Sequence, residues 1–358
     1  MFQKSNRLIA LLLAVALVFT GCGAATGASS ASSSSAAASS AAQSSAQSAQ
    51  AQFPVTVTDA LGRTVTVTAE PQRIVSGYYI TSSLLIALGL QDKTVGIEAK
   101  ADTRPIYALA APEMLKLPNV GTAKEFDLEG CAALKPDLVI LPVKLKESVA
   151  ALEQLGVTVV AVNPENVEQL YAAIEMIGAA TGTAERAQQL VDFSQERYAM
   201  LAELAKLEKK PRVYLGGNAS LLSTAGAKMY QNSVIEAAGG VNVAAELEDS
   251  YWAEVSYEQL LAWNPEVIVI APGADYTAAE VLADPQLAGV EAVTNGAVYQ
   301  MPQTVEAWDS PVPSTVLGSL WLASVLHPQQ YKPEQFINDT AAYYNAFCGV
   351  AINPSLLG

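Results

Sequence analysis

The chain has 358 residues, with 20 Lys+Arg against 35 Asp+Glu, a formal net charge of −15 and a sequence pI near 4.5. A surface this acidic repels a phosphate backbone and argues against nucleic acid as a partner. The length suffices for two domains of ordinary size.

Lys4 and Arg7 precede an apolar stretch, Leu8 to Thr20. This stretch is shorter than the ~20 residues of a spanning helix, so residues 1–21 read as an export signal. A tract of Ser, Ala, Gln and Gly then runs to Gln52 with almost no large apolar residue. Such a tract cannot offset its ordering entropy, and residues 22–52 are expected to form a disordered tether. Its typical span is roughly 30 Å, from ~5–6 Å × √n.

The folded part begins with alternating residues from Phe53 to Val67 around the turn Asp59-Ala60-Leu61-Gly62-Arg63, a hairpin pattern. Arg73 to Ser76 leads into a first parallel strand, with a loop over 77–81, and Thr94 to Ile97 forms the next strand. A long loop from Glu98 to Gly121 precedes the stretch Asp127 to Leu141. A helix end and strand follow over 152–162. From Asn166 the period changes to that of helices, over 167–180 and then 184–209. The second of these, ~25 residues or about 38 Å long, is expected to cross between lobes as a rigid spine. The α/β pattern resumes at Arg212, with a strand near 296–302 and helices over 314–326 and around Tyr343-Tyr344. The expected layout is an N-terminal α/β lobe (53–165), connecting helices (166–210), a C-terminal α/β lobe (211–350) and a tail (351–358).

A repeat supports two lobes of similar build. Asp127-Leu128-Glu129 through Lys135-Pro136-Asp137 to Leu141 is echoed by Ser256-Tyr257-Glu258 through Asn264-Pro265-Glu266 to Ile270, at a constant offset of 129 residues. Each copy opens on an N-cap residue, forms a short helix, stops at the residue before proline, and enters a β-branched run read as a buried strand. A second echo, Ser83 to Leu90 against Ser233 to Gly240, occurs in the same order.

Most enzyme constellations are missing. There is no phosphate-binding glycine loop, nucleophile elbow or CxxC, and His327 is the only histidine, placed at a helix end before Pro328. Cys131 and Cys348 sit on apolar helical patterns and read as free thiols. The candidate site residues lie on loops after strands, where open α/β sheets bind ligands. They are Tyr78, Tyr79, Arg104, Tyr107, Lys124 and Lys144 in the first lobe, and Met229, Tyr230, Trp252 and Trp308 in the second. Trp252 stands out as an aromatic in the polar stretch Glu248-Asp249-Ser250-Tyr251, with little core to join.

Phe19-Thr20-Gly21-Cys22 resembles the lipobox of bacterial lipoproteins, which implies lipidation at Cys22 and a membrane-anchored, extracytoplasmic protein. The folded chain resembles the substrate-binding proteins of ABC importers for iron complexes (siderophores, haem) and vitamin B12, the branch with a helical connection. The resemblance rests on Thr58-Asp59-Ala60-Leu61-Gly62-Arg63, Pro71-Gln72-Arg73-Ile74-Val75, Ala133 to Ile140, Ala237-Ala238-Gly239-Gly240-Val241-Asn242 and Trp252 to Glu258. It implies two Rossmann-like α/β lobes joined by one long helix, with a ligand cleft between them. It also implies no catalysis and no resident cofactor, the iron or cobalt belonging to the ligand. The partners implied are a permease with its ATPase, met by a monomer. Glu129 and Glu258 fall at the positions that the family uses to dock on permease arginines. Trp252 falls where corrinoid-binding members carry a ligand-contacting tryptophan, while the aromatic of their other lobe is Ala123 here. Two other classes stand beside this reading: a chelatase-like enzyme and a non-transport surface lipoprotein.

Overall fold

The computed structural model describes residues 52–248 and 251–357; the signal, Cys22 and nearly all of the tether lie outside the described residues. Strands β1 (Val55–Thr58) and β2 (Thr64–Val67) form the antiparallel hairpin. Asp59 closes its turn by accepting from the amides of Leu61 and Arg63, both at 3.0 Å, and also binds the Ala161 amide at 3.0 Å. One buried carboxylate thus shapes the turn and anchors the hairpin to the first lobe.

That lobe follows as β3 (Ile74–Ser76), α1 (Tyr79–Ala87), β4 (Thr94–Gly96), α2 (Pro105–Ala110), α3 (Leu128–Ala133), β5 (Leu138–Pro142), α4 (Lys146–Gln154) and β6 (Val159–Val162). Its four strands are all parallel, in the order β4-β3-β5-β6. Every residue of β5 and β6 is buried, as their continuous apolar runs require of strands covered on both faces. The loop expected over 77–81 is shorter. Helix α1 begins at Tyr79, because the Tyr78 carbonyl already accepts from the Ser82 amide at 3.0 Å and from Thr81 Oγ1 at 2.8 Å.

Two helices join the lobes, α5 (Val167–Thr181) and α6 (Ala184–Leu204). The expected extension of α6 to Lys209 does not form. Beyond Leu204 the amides of Lys206 and Leu207 bond back only three residues, and the chain turns towards the next strand. The spine is therefore a 21-residue helix, about 32 Å long, lying against α5 rather than standing alone.

The second lobe comprises β7 (Arg212–Gly216), β8 (Ser223–Thr224), α7 (Tyr230–Ala237), β9 (Val241–Asn242), β10 (Ala253–Glu254), α8 (Tyr257–Trp263), β11 (Val267–Ile270), α9 (Ala278–Ala283), α10 (Glu291–Thr294), β12 (Val298–Gln300), α11 (Val316–Leu326) and α12 (Pro333–Cys348). β9, β7, β11 and β12 run parallel, while β8 and β10 add an antiparallel edge. Residues after α12 pack back onto the fold, with Ile352 and Leu357 in the main core cluster.

Both echoes are structural. Asp127 and Ser256 cap α3 and α8 by accepting from the amides of Gly130 and Gln259. The residues before the two prolines, Lys135 and Asn264, both take positive φ, 48° and 42°. The second echo is α1 and α7, each stopped by a glycine with positive φ, Gly89 at 74° and Gly239 at 79°. These stops meet opposite ends of α6. A Cβ on Gly89 would lie 3.8 Å from Arg186 Nε, and one on Gly239 would lie 3.1 Å from the Leu204 Cβ. The two positions are 18 residues apart, about 27 Å along the helix, so α6 spans between the equivalent helix ends of the two lobes.

Candidate functional site

In each lobe the central strand has its successors on opposite sides. β3 leads to β4 on one flank and β5 on the other, and β7 leads to β9 and β11 in the same way. Such a switch point leaves a crevice outside the carboxyl ends of the strands. Tyr78 follows β3 and Lys144 follows β5, while Pro164 and Glu165 follow β6. These four residues line one wall of a cavity of about 380 Å³. The other wall comes from the second lobe: Lys228, Met229, Tyr230, Gln231, Tyr251 and Pro311. The volume lies within the ~300–1,000 Å³ usual for small-molecule sites.

Four of the ten candidate residues, Tyr78, Lys144, Met229 and Tyr230, therefore meet in one cavity. Tyr79 adjoins it, with its ring edge-on to Tyr78 at 5.1 Å. The Arg104 guanidinium lies over the other side of this system, 3.9 Å from the Tyr79 ring centroid and 3.9 Å from Glu98 Oε1. Arg104 opens instead into a smaller space of about 160 Å³, shared with Pro272, Gly273, Gln303 and Glu306 of the second lobe. Trp252 is half-buried over the carboxyl end of β7. Its indole occupies the space left by Gly217, where a Cβ would come within 2.9 Å of the ring. Lys124 is exposed in the turn before α3 and lines neither space.

Tyr107 and Trp308 are interior. Tyr107 is 0% exposed, and its hydroxyl donates to Glu98 Oε1 at 2.8 Å. Trp308 is 1% exposed, with Nε1 donating to the Tyr344 hydroxyl at 2.9 Å and the ring edge-on to Phe336. The loop expected from Glu98 to Gly121 holds helix α2, which turns Tyr107 into the core. The Trp308 loop does the same, and both polar atoms are satisfied within the protein.

Three side chains at this junction escaped the sequence reading. Glu165 directly follows the last strand of the first lobe, so its position was the available signal. Gln231 is buried beside the cavity with Oε1 lacking a protein partner. Glu306 stands two residues before the candidate Trp308, and that neighbour was the available signal. Burial pushes the Asp309 carboxyl up to about 6, partly offset by the Gln231 side-chain hydrogen bond. Burial likewise raises the phenols of Tyr78, Tyr79 and Tyr230, which remain neutral hydrogen-bonding groups at physiological pH. Among the described residues no group of three or more His, Cys, Asp or Glu is placed to hold a metal ion. His327 ends α11, with Nε2 3.2 Å from the Gly239 carbonyl oxygen, and the thiols of Cys131 and Cys348 are free.

Two α/β lobes, a helical connection and a cavity walled by loops from both lobes are the architecture of a two-lobed solute-binding protein. The chain belongs to the periplasmic binding protein family, whose model matches residues 74–305. It is 30% identical over 290 residues to an ABC transporter substrate-binding lipoprotein of Bacillus subtilis, YvrC, covering 78% of this chain and 88% of that one. It is 34% identical to the vitamin B12-binding protein of Salmonella typhi over 167 residues, 46% of this chain and 62% of the relative. The molybdate-bound structure of Haemophilus influenzae MolA superposes with a TM-score of 0.72 at 25% identity, covering 84% of this chain and 99% of that one. The protein is thus the extracytoplasmic substrate-binding component of an ABC importer, a class that works with a permease and an ATPase.

Proposed function

We propose that the protein, anchored through a lipid on Cys22, captures an iron complex or a corrinoid in the cleft and carries it as a monomer to its permease. The observation that carries the ligand reading is the aromatic and thioether lining of the 380 Å³ cavity, Tyr78, Met229, Tyr230 and Tyr251, with Lys144 and Lys228 at its walls. Flat or bulky metal complexes present large apolar faces with polar edges, and such a lining offers ring contact together with a few hydrogen-bonding groups. The vitamin B12-binding relative favours a ligand of this kind. Tyr79, whose ring meets that of Tyr78, and Trp252, next in sequence to the lining residue Tyr251, are assigned to ligand contact with the lining residues.

Delivery is assigned to Glu129 and Glu258. Both are exposed, and each stands two residues after the N-cap of an equivalent helix, one per lobe. A carboxylate so placed suits an arginine of the permease through paired, charge-assisted hydrogen bonds. The test has two arms. Mass spectrometry of protein purified from its native host should find a metal complex bound in equimolar amount. Reversing both charges, Glu129→Arg with Glu258→Arg, should abolish uptake of that complex and leave its affinity within about twofold of the parent, since both are exposed and neither lines the cavity. Recovery of a bare oxyanion would contradict the ligand reading, and full uptake by the double variant at matched protein level would contradict the docking role.

A further inference from the structure

Glu306 lies between β12 and α11, in the second lobe, yet its hydrogen-bond partners come from both lobes. Ser83 Oγ, on α1 of the first lobe, donates to Oε1 at 2.8 Å. Ser314 Oγ donates to Oε2, and the Tyr344 hydroxyl on α12 lies 3.4 Å from the same atom. The residue is 8% exposed and borders the 160 Å³ space between the lobes, which gives water and protons a route to it. Helix α1 packs directly on α12 here. Nearby, Arg186 of α6 donates to the Ala87 carbonyl at the end of α1 (2.7 Å) and to the Ala346 and Phe347 carbonyls at the end of α12 (3.1 and 3.0 Å). The zone is a seam between the lobes in which the donors to Glu306 are neutral hydroxyls.

The groups that face Glu306 hold their charge, which leaves the Glu306 carboxyl and, further along the segment, Asp309 to titrate. Arg104 is the cation facing it, and Arg104 is also drawn towards Glu98 and the Tyr79 ring. Glu98 is itself engaged by Ser82 and Tyr107. Tyr79 on α1, and Tyr343, Tyr344 and Cys348 on α12, face the Glu306 charge, and burial keeps all four neutral across the physiological range. Asp309, three residues along the same segment, is the other carboxyl to be separated by experiment.

We propose that Glu306 is a proton-operated latch between the lobes, a positioning residue that joins α1 to the 301–315 segment and α12 when protonated and loosens that union when it ionises. The physical reason is desolvation. Hydroxyl donors and one shared arginine compensate a buried anion poorly, whereas opening the seam returns it to water. Burial accordingly holds the carboxyl above its ordinary value. The linkage sign follows: the stabilisation is fully present below the ordinary glutamate value and is lost as pH rises through the raised one. Its consequence for solute capture rests on the solute-binding reading; the latch itself is tested without any ligand.

The experiment uses the ligand-free full chain, following the thermal midpoint and the scattering radius of gyration between about pH 5 and pH 8. The parent protein should lose roughly 2–4 °C as pH rises, while its radius increases slightly. Glu306→Gln, which keeps hydrogen-bonding capacity without the titration, should remove most of both changes, and Asp309→Asn should retain them. A Glu306→Gln profile parallel to the parent, or loss of the effect in Asp309→Asn instead, would overturn the proposal. Should Glu306→Gln fail to fold, infrared spectra of the parent and of Ser83→Ala decide. A protonated-carboxyl band that disappears with rising pH, and at a higher pH in Ser83→Ala, is the expected result. A carboxylate throughout, or identical titrations, would overturn the assignment.

Discussion

Two tryptophans on loops at the carboxyl side of the second lobe's sheet have opposite fates, and the contrast separates cleft from seam. Trp252 rests half-exposed over Gly217. Trp308 is fully enclosed, bonded through Nε1 to Tyr344 and packed on Phe336. Around the cavity, Gln231 Oε1 lacks a protein partner and Tyr251 is 74% exposed, whereas Glu306 in the seam meets hydroxyls from three segments. The seam thus ties one carboxylate to hydroxyls of both lobes, whereas the cavity between them leaves Gln231 Oε1 without a protein partner. An aromatic on a strand-end loop does not by itself announce which side it serves.

The sharpest way to break this comparison is to truncate Trp308. Trp308→Ala removes a large enclosed ring and leaves Tyr344 short of a donor, so a stability loss of about 3–5 kcal/mol is expected in chemical unfolding. Any variant protein that folds should retain its solute affinity. A loss of affinity without loss of stability would move Trp308 to the cleft.

Trp252→Ala should show the reverse pattern. Losing one face of apolar contact in a dewetted site should weaken solute binding by roughly 1–3 kcal/mol in calorimetry. Stability should change less, because the ring is already half-exposed. Equal affinity in the folded variant would return Trp252 to simple packing on Gly217.

The rim supplies the smallest effect. Lys228 lines the cavity but is paired with Glu248 at 3.3 Å, and both side chains are well exposed. Such a pair contributes ~0–1 kcal/mol, so Lys228→Ala should shift affinity by less than about fivefold. A much larger loss would show that this lysine, rather than the aromatic lining, holds the ligand.

How much was legible follows the same division. The helix–proline–strand repeat could be read because each device in it is local: the caps at Asp127 and Ser256, the non-helical Lys135 and Asn264 before proline, and the unbroken apolar runs of β5 and β11. The end of α6 could not, because Leu207 continues the apolar spacing while the turn into β7 is set by tertiary geometry. Tyr78, Lys144, Met229 and Tyr230 were located by the rule that ligands lie beyond strand ends. Tyr107 and Trp308 satisfied the same rule and are core, since their fate depends on Glu98 and Tyr344, distant or unmarked in the pattern. The Ser83–Glu306 contact joins residues 223 positions apart, and nothing local to either marks it.

The central claim, capture of a metal complex by the aromatic cleft, is tested most directly by titrating ligand-free protein with cyanocobalamin, haemin, a ferric hydroxamate siderophore and molybdate. Tryptophan fluorescence should be followed in the parent and in Trp252→Ala. One of the three metal complexes should saturate the parent at one equivalent, with the affinity reduced in Trp252→Ala and molybdate silent. Saturation by molybdate alone, or by none of the three complexes, would contradict the account.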